Sequence, residues 1–231
     1  MTVTPVLTHD WDVSTAAAKE IQSRLRPRLL VQPPERVPEV VAGIDVSVRG
    51  GQARSAVVLL SLPGLEPIEA VTAERASPFP YVPGLLAFRE GPVSLDALAK
   101  LRTTFDVLIF DAHGVAHPRR IGLATHLGIL LDRPSVGCAK SRLCGTYDEP
   151  SEQRGSWSRL RGGDEVIGAV VRTQTGVNPV FVSIGHRVDL ASAVSLFLAC
   201  TPRYRLPETT RWADHLAGGG TLLRACTRRN K

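Results

Sequence analysis

The chain of 231 residues contains no apolar run of about 18 residues, so we predict no membrane-spanning helix. Its beginning, MTVTPVLTHDWDVS, includes Asp10 and Asp12 and lacks an apolar segment behind a basic start, which predicts that there is no secretory signal peptide. The four cysteines form neither a CxxC pair nor a closely spaced framework. We therefore expect reduced thiols and a cytoplasmic location.

The composition is typical of a globular protein with a sizeable core, since 43% of the residues are hydrophobic and 22% are charged. No internal repeat or low-complexity tract is present. This length suits one α/β domain. We predict a single domain over residues 1–231, whose last part, 217–231, is a loosely held tail.

Basic residues outnumber acidic ones, with 28 Lys and Arg against 22 Asp and Glu and a net charge of +6. This balance favours polyanionic partners, because neutralising phosphates releases counterions. Basic residues also cluster at 24–28, 117–120 and 228–231. Each cluster is about equally consistent with a solvated surface, so the charge alone makes a nucleic-acid partner a hypothesis.

The order of the predicted elements indicates an α/β fold, a mixed β-sheet flanked by helices on both faces. Its first three strands suggest an antiparallel meander. The segments that predict strands are 38–48, 54–62, 67–76, 106–114, 134–141, 165–173 and 179–186. The segments that predict helices are 13–29 with Ser14 as N-cap, 84–90, 94–102, 122–131 and two closing helices, the last over 207–217.

The segment SPFPYVPGLLAFREGP, residues 77–92, contains four prolines and Tyr81, and a short helical stretch within it ends on Arg89 and Glu90. A proline-stiffened loop with an aromatic residue at its tip is open to two interpretations. It is either an ordinary turn or a rigid wedge that enters a stacked partner.

Four carboxylates fall within or at the ends of predicted elements. Asp45 lies inside the apolar first strand, Asp111 closes the strand VLIFDAHG, Glu90 ends the helix after the proline loop, and Asp214 lies on the last helix. Taken singly, Asp45 also suits the solvent face of an edge strand and Asp111 a turn. Together these acids are similar to the acidic set of an RNase H-like domain. Such a set holds Mg²⁺ or Mn²⁺ while a substrate phosphate completes the coordination shell.

Two further features are open to more than one interpretation. Lys140 follows an apolar strand and would add positive charge near a bound phosphate, or it is a surface lysine. The histidines offer a rival zinc site, although their spacing matches no compact zinc motif and suits a polar groove equally well. The histidines considered for zinc are His113, His117, His126 and His186.

The sequence resembles the endonuclease V family over about residues 15–216. Six strings in the same order carry the resemblance: VAGIDVS, FPYVPGLLAFREGP, IFDAHGVAHPRRIGLATHLG, PSVGCAKSRLCG, PVFVSIGHRV and RLPETTRWAD. The resemblance implies an RNase H-like fold and a DNA-repair enzyme that uses Mg²⁺, for which Mn²⁺ can substitute. It further implies hydrolysis of the second phosphodiester bond 3′ to deoxyinosine, which leaves 3′-hydroxyl and 5′-phosphate ends.

The same resemblance implies roles for individual residues. Asp45, Asp111 and Glu90 would be the metal ligands. The fourth acidic position, Asp or His in this family, falls on Asp214 through the string TRWAD. His215 is its neighbour, and both cannot face the same ion directly, because successive helix residues point about 100° apart. The implied catalytic residues are Asp45, Glu90, Asp111, Lys140 and Asp214.

The proline loop resembles the family's strand-separating wedge, made here of Pro80, Tyr81, Val82 and Pro83. Tyr81 would fill the space left when the modified base leaves the stack, and the prolines would order the loop before binding. This interpretation explains why an acid follows the loop at once, because wedge and metal site must keep a set separation.

A pocket for the displaced base is expected beside the wedge. The family commonly has Gly where this chain has Ala112, so we expect a narrower pocket or a restricted turn. His117 is a further candidate for this region. The residues predicted to border the pocket are Gly84, Ala112, Gly114, Gly122 and Gly137.

Two other functions stay open. One is a non-catalytic binder of damaged or single-stranded nucleic acid, although every expected acid is present. The other is a structure-selective nuclease of the same fold, which Ala112 keeps in consideration. DNA with deaminated bases is the expected partner, RNA is an alternative substrate, no membrane partner is expected, and a monomer is the expected state.

Overall fold

One eight-stranded mixed sheet runs through the described chain in the order β3-β2-β1-β4-β5-β8-β7-β6. The computed structural model describes residues 3–221, and most of the predicted tail falls on residues 222–231, which lie outside the described residues. The strands are β1 Val40–Arg49, β2 Gln52–Ser61, β3 Pro67–Ala76, β4 Val107–Phe110, β5 Ser135–Ala139, β6 Trp157–Gly162, β7 Glu165–Val171 and β8 Val180–His186. The helices are α1 Thr15–Leu25, α2 Leu86–Leu98, α3 Leu123–Leu131, α4 Leu190–Ala199 and α5 Glu208–Ala217.

The first three strands form the predicted antiparallel meander. The turn between β1 and β2 consists of Gly50 and Gly51, with φ of 55° and 77°, the left-handed values that a two-residue turn of this kind requires. β4 then pairs parallel to β1, and β5 parallel to β4. The carboxyl ends of β1, β4 and β5 therefore meet at one edge of the sheet.

Both faces of the sheet are covered, as strand β4 shows, since it is apolar at every position. Val107 and Ile109 pack into the core that includes α4 and α5. Leu108 and Phe110 pack into the opposite core, beneath α2 and α3. This two-sided burial is typical of parallel strands, and the predicted α/β fold with an RNase H-like mixed sheet is confirmed. No helix within residues 3–221 has the length and apolar character needed to cross a membrane.

The prediction of two separate helices after the proline loop is wrong. A single helix, α2, continues through Pro92, so Glu90 lies within the helix rather than at its end. Proline removes the hydrogen bond to the carbonyl four residues earlier, which ordinarily ends a helix. Here the helix buries Val93, Ala97 and Leu98 beyond the proline, and this packing outweighs the local loss.

Strand β6 was not predicted. Only Leu160 of its six residues is buried, so the strand lacks the apolar pattern that identifies an interior strand. It lies at the sheet edge and pairs only with β7 among the strands. At the other end of the chain, the predicted cap of α1 is confirmed, since the Ala17 amide donates to Ser14 Oγ at 3.2 Å.

Within residues 3–221, all cysteines are free thiols, in agreement with the expectation of reduced cysteines. Cys138 and Cys200 are buried and Cys144 is partly buried. Cys226 lies outside the described residues.

Helix α5 approaches β1 unusually closely at Gly43. A Cβ at this position would lie 2.4 Å from the backbone carbon and oxygen of Thr209, so only glycine allows this contact. Because Gly43 and Asp45 are two residues apart on one strand, they face the same side of the sheet. The close contact therefore places α5 over Asp45.

We expect Gly43→Ala to lower the free energy of unfolding by about 1–3 kcal/mol, because the added methyl group must push α5 away from the sheet. Urea denaturation followed by circular dichroism measures this loss. Gly64→Ala is the matched control, since a Cβ there meets its nearest atom at an ordinary 3.6 Å. Equal stability of the two variants would contradict the proposed tight contact.

Candidate active site

Two aspartates meet at the carboxyl edge of the sheet. Ile44 of β1 is in register with Phe110 of β4, so Asp45 and Asp111 are the next residues on neighbouring parallel strands. The Asp111 amide donates to the Ile44 carbonyl oxygen at 3.2 Å, which continues the pairing for one more residue. Sheet register alone thus sets these two carboxylates side by side.

The other two acids approach this edge from opposite faces of the sheet. Asp214 comes from α5, which packs on β1 through Gly43. Glu90 comes from the interior of α2, on the other face. The structure therefore brings together the four carboxylates that are far apart in the sequence.

The four acids share one electrostatic field. Burial, together with the charges of Asp111 and Asp214, raises the pKa of Asp45 to about 7. Burial also raises the pKa of Glu90 to about 8, with Asp45 and Asp111 acting in the same direction against the opposing effect of Arg89. Such a cluster lacks the nearby positive charge that would stabilise its ionised carboxylates.

Lys140 supplies one positive charge to the cluster. It directly follows β5, and its Nζ lies 2.5 Å from Asp111 Oδ2. Burial lowers the pKa of Lys140, but the hydrogen bond to Asp111 and the nearby negative charges outweigh this effect and raise it overall. Lys140 is thus an exposed lysine that pairs with an acid of this edge, and its role toward a bound phosphate stays a prediction.

The donor set consists of carboxylate oxygens, which fit a hard divalent cation such as Mg²⁺ or Mn²⁺. Within residues 3–221, no three His, Cys, Asp or Glu side chains already stand in a ligand arrangement. Asp111 is instead engaged by Lys140. The chemistry and the excess of negative charge fit the ion, and its ligand arrangement is not formed in the described conformation.

The alternative zinc site finds no support within residues 3–221, because no three His, Cys, Asp or Glu side chains are grouped there as metal ligands. His126 Nε2 lies 2.6 Å from His9 Nε2, and His186 Nε2 lies 3.2 Å from Asp132 Oδ1. His117 Nδ1 accepts from the Arg119 amide at 3.1 Å, so its Nε2 is the donor to the Gly84 carbonyl at 2.9 Å. Burial lowers the pKa of His117 to about 4, which keeps this imidazole neutral.

A cavity of about 300 Å³ joins the proline loop to the acidic edge. Tyr81, at the tip of the loop, is 68% exposed and borders this cavity. Asp111 and Lys140 border it as well. The predicted residues of the loop and base pocket that line the cavity are Tyr81, Val82, Pro83, Gly84, Ala112, His117 and Gly122.

Three predicted residues of the loop and pocket do not border the cavity. Pro80 is exposed beside it. A Cβ on Gly114 would lie 2.0 Å from the Ile184 carbonyl oxygen, and one on Gly137 would lie 2.4 Å from the Gly114 amide nitrogen. These two glycines permit close packing of the backbone and do not line the pocket.

Ala112 borders the cavity, and its turn is not strained. Its side chain is 5% exposed and contributes to the cavity wall. The non-glycine residues with positive φ in the described chain are Leu65, Arg120, Asp132 and Arg187. Ala112 is not among them, so its backbone gives no support to the expected restricted turn, and the narrowing of the pocket stays a prediction.

Sequence reasoning missed Gln22 and Arg119. In the sequence, Arg119 belongs to a basic cluster that is about equally consistent with a solvated surface and with a polyanionic partner. In the structure, its guanidinium donates to Gln22 Oε1 at 2.7 Å and to the Gly84 carbonyl at 2.7 Å. Gln22 is fully buried on α1 and borders the cavity. A polar residue on the apolar face of an amphipathic helix was the available signal.

Neighbouring parallel strands place paired aspartates at one edge of the sheet. Flanking helices add two further acids there, and a lysine lies at the same edge. This arrangement is that of an RNase H-like nuclease. The family model of endonuclease V matches residues 21–215. The chain belongs to the endonuclease V family, which is a family of metal-dependent nucleases. The resemblance drawn from the six strings is thereby confirmed.

Relatives match the chain over nearly its whole length. Endonuclease V of Roseiflexus sp. (strain RS-1) is 51% identical over 214 residues, which are 93% of this chain and 96% of that protein. The crystal structure of endonuclease V from Streptomyces avermitilis aligns with a TM-score of 0.87 and 42% identity, covering 98% of this chain and 100% of that chain. Ciona intestinalis endonuclease V, in complex with a 24mer DNA containing an inosine followed by a ribo-adenosine, aligns with a TM-score of 0.76 and 26% identity, covering 88% and 96%.

The raised pKa of Glu90 predicts a pH-dependent cost to stability. The folded protein holds this proton more tightly than the unfolded chain, so the carboxylate destabilises the fold increasingly as pH rises from 4.5 to about 8. With a metal chelator present, we expect Glu90→Gln to raise the Tm by several degrees at pH 9 and to have little effect at pH 4. Thermal unfolding at several pH values measures this difference.

Glu20→Gln, at an exposed position of α1, is the control and should leave the Tm difference independent of pH. A Glu90→Gln curve parallel to that of the unmodified protein would show that Glu90 is not buried among like charges.

Proposed function

We propose that this protein is a metal-dependent endonuclease that hydrolyses the second phosphodiester bond 3′ to a deaminated base, deoxyinosine, leaving 3′-hydroxyl and 5′-phosphate ends. The observation that carries the proposal is that one cavity is bordered both by Tyr81 of the proline loop and by Asp111 and Lys140 of the acidic edge. A displaced base and the phosphate to be cut would then be held by one continuous site.

Asp45, Asp111 and Glu90 would hold Mg²⁺, for which Mn²⁺ can substitute, with Asp214 as a fourth catalytic acid. The ion, when bound, polarises the phosphoryl group and stabilises the leaving oxygen. The chain's own contribution is to hold the carboxylates at one edge, where the sheet register fixes two of them. Lys140, with its ammonium group at this edge, would stabilise negative charge on the substrate phosphate.

The proline loop would act at the lesion. Pro80 and Pro83 limit its conformations before binding, so less entropy is lost when nucleic acid binds. Exposed Tyr81 would occupy the gap left by the displaced base, and the cavity beside it would receive that base. Base displacement costs least where pairing is already weak, which favours deaminated bases over normal ones.

The proposed substrate is DNA with deaminated bases, and RNA containing inosine is the alternative. The Ciona relative was crystallised with inosine-containing DNA, which supports the choice of lesion. We further propose that the protein is a monomer, that it lies in the cytoplasm and that it acts in DNA repair. A structure-selective nuclease is the second candidate, because the Ala112 methyl group narrows the cavity.

The test is cleavage of end-labelled duplexes that differ only in one deoxyinosine, with Mg²⁺, with Zn²⁺ and with EDTA. We expect a Mg²⁺-dependent nick at the second bond 3′ to the inosine and none in the undamaged duplex. Equal cutting of both duplexes would favour the structure-selective nuclease. Binding without any nick would favour the non-catalytic binder.

Asp45→Asn should reduce cleavage by about 10³-fold or more, because it removes a carboxylate from the ion that stabilises the transition state. Binding of the inosine duplex, followed by fluorescence anisotropy, should persist. The exposed Asp96→Asn variant serves as control and should cleave normally. A normal rate for Asp45→Asn would refute the assignment of this acid to the metal.

Tyr81→Ala should lower the preference for inosine-containing over undamaged duplex by about 5- to 150-fold, since base–aromatic stacking contributes about 1–3 kcal/mol. The ratio of kcat/KM for the two duplexes measures this preference. Tyr81→Phe keeps the ring and should retain most of it. If Tyr81→Ala kept the full preference, the loop would be an ordinary turn.

A further inference from the structure

The side chain of Gln22 is a fully buried amide at the wall of the cavity. It lies on α1, whose buried face also includes Ala18 and Ile21. Burying an amide without partners costs several kcal/mol, so such a group persists only where its hydrogen bonds are made. Each polar atom of Gln22 must therefore have a specific partner.

Both ends of the amide are hydrogen-bonded. Its Nε2 donates to the Gly84 and Ile121 carbonyl oxygens, both at 3.0 Å, and its Oε1 accepts from Arg119 Nε at 2.7 Å. The reverse orientation would point an oxygen at two carbonyl oxygens, so the network leaves one orientation for the amide.

The two carbonyl partners belong to different chain segments that border the cavity. Gly84 directly follows Pro83 at the end of the proline loop, whereas Ile121 directly precedes Gly122 at the start of α3. Gly84 and Gly122 both border the cavity. One side-chain amide thus joins two chain segments that are far apart in sequence.

The Gly84 carbonyl is a point of convergence. Besides Gln22, it accepts from Arg119 Nη2 at 2.7 Å and His117 Nε2 at 2.9 Å. Gly84 has φ of +82°, and a Cβ there would lie 3.0 Å from Arg119 Nη2, so this approach requires glycine. The end of the loop is consequently held from several directions.

We propose that Gln22 is a positioning residue for base recognition, which holds the proline loop and the start of α3 at the separation that a displaced purine base requires. This inference rests on the proposed function. Gln22 acts through Gly84 and Ile121, and the acidic edge is left to other residues. Its loss should therefore weaken recognition of the lesion and leave the rate of bond cleavage largely intact.

Two substitutions of similar size test the role. Gln22→Met removes all three hydrogen bonds, and Gln22→Glu keeps an acceptor for Arg119 but loses both donations to carbonyls. With inosine duplex, we expect KM to rise about 10- to 100-fold, since a misplacement of about 1 Å has effects of this size. We expect kcat at saturating duplex to stay within about threefold, and the preference for inosine to fall about tenfold or more.

Ser23→Ala, on the same helix, is the matched control because the Ser23 hydroxyl bonds only the Lys19 carbonyl of its own helix. It should retain the KM, the kcat and the preference. The positioning role would be refuted if folded Gln22 variants kept the normal KM and preference for inosine. It would also be refuted if kcat fell and KM rose in parallel with a fall in Tm. Arg119→Met provides a second variant with the same expected pattern, should the Gln22 variants fail to fold.

Hydrogen exchange without nucleic acid separates this proposal from the proposed function. In Gln22→Met, amides of residues 82–86 and 121–124 should exchange faster than in the unmodified protein, and those of β1 and β4 should not. Unchanged exchange at both walls would refute the positioning role whatever the activity. If the unmodified protein cut both duplexes equally, the lesion specificity would fall, whereas altered exchange would still support the role of Gln22 in holding the cavity.

Discussion

Mutual repulsion among four carboxylates at one edge of the sheet is the constraint around which this structure is arranged. Asp45 and Asp111 have no freedom to separate, because parallel strands in register carry them. Burial and like charge raise the pKa of Asp45 and of Glu90. Under the proposed function, the protein retains this unfavourable cluster because the same field would attract a divalent cation, and Lys140 partly offsets it.

The two faces of the sheet contribute unequally to this edge. On one face, the contact between Gly43 and Thr209 seats α5 and hence Asp214. On the other face, α2 supplies Glu90 from its interior and begins directly after the proline loop. A rigid helix thus connects the loop that would contact the lesion to an acid of the cleavage site. The separation between these two functions is then set by backbone geometry.

Polar contacts beside the proline loop are made mostly by backbone carbonyls and buried side chains. Gln22, His117 and Arg119 converge on the carbonyl of Gly84. Neutral His117 suits this arrangement, because a donor is needed at Nε2 and an acceptor at Nδ1. The acidic edge is thus dominated by charge and the wall beside the proline loop by directed hydrogen bonds, which suits the different tasks proposed for them.

Much of this protein followed from its sequence alone. Alternating and continuous apolar segments identified seven of the eight described strands, and the ordered strings identified the family. Patterns of this kind are local, and burial enforces them residue by residue. Strand β6 escaped because only Leu160 is buried, and the continuity of α2 escaped because packing outweighed the effect of Pro92.

Only the tertiary structure decided which predicted glycines border the cavity and which polar residues hold its walls. Gly114 and Gly137 look like Gly84 in the sequence, yet they pack against backbone instead. Gln22 is about sixty residues from Gly84 and about a hundred from Ile121, and no local pattern reports a hydrogen bond over such a span. The local sequence determines which segments are buried, and long-range packing determines which groups they contact. The reason is that a hydrogen bond depends on the distance and direction between two groups, and these groups lie far apart along the chain.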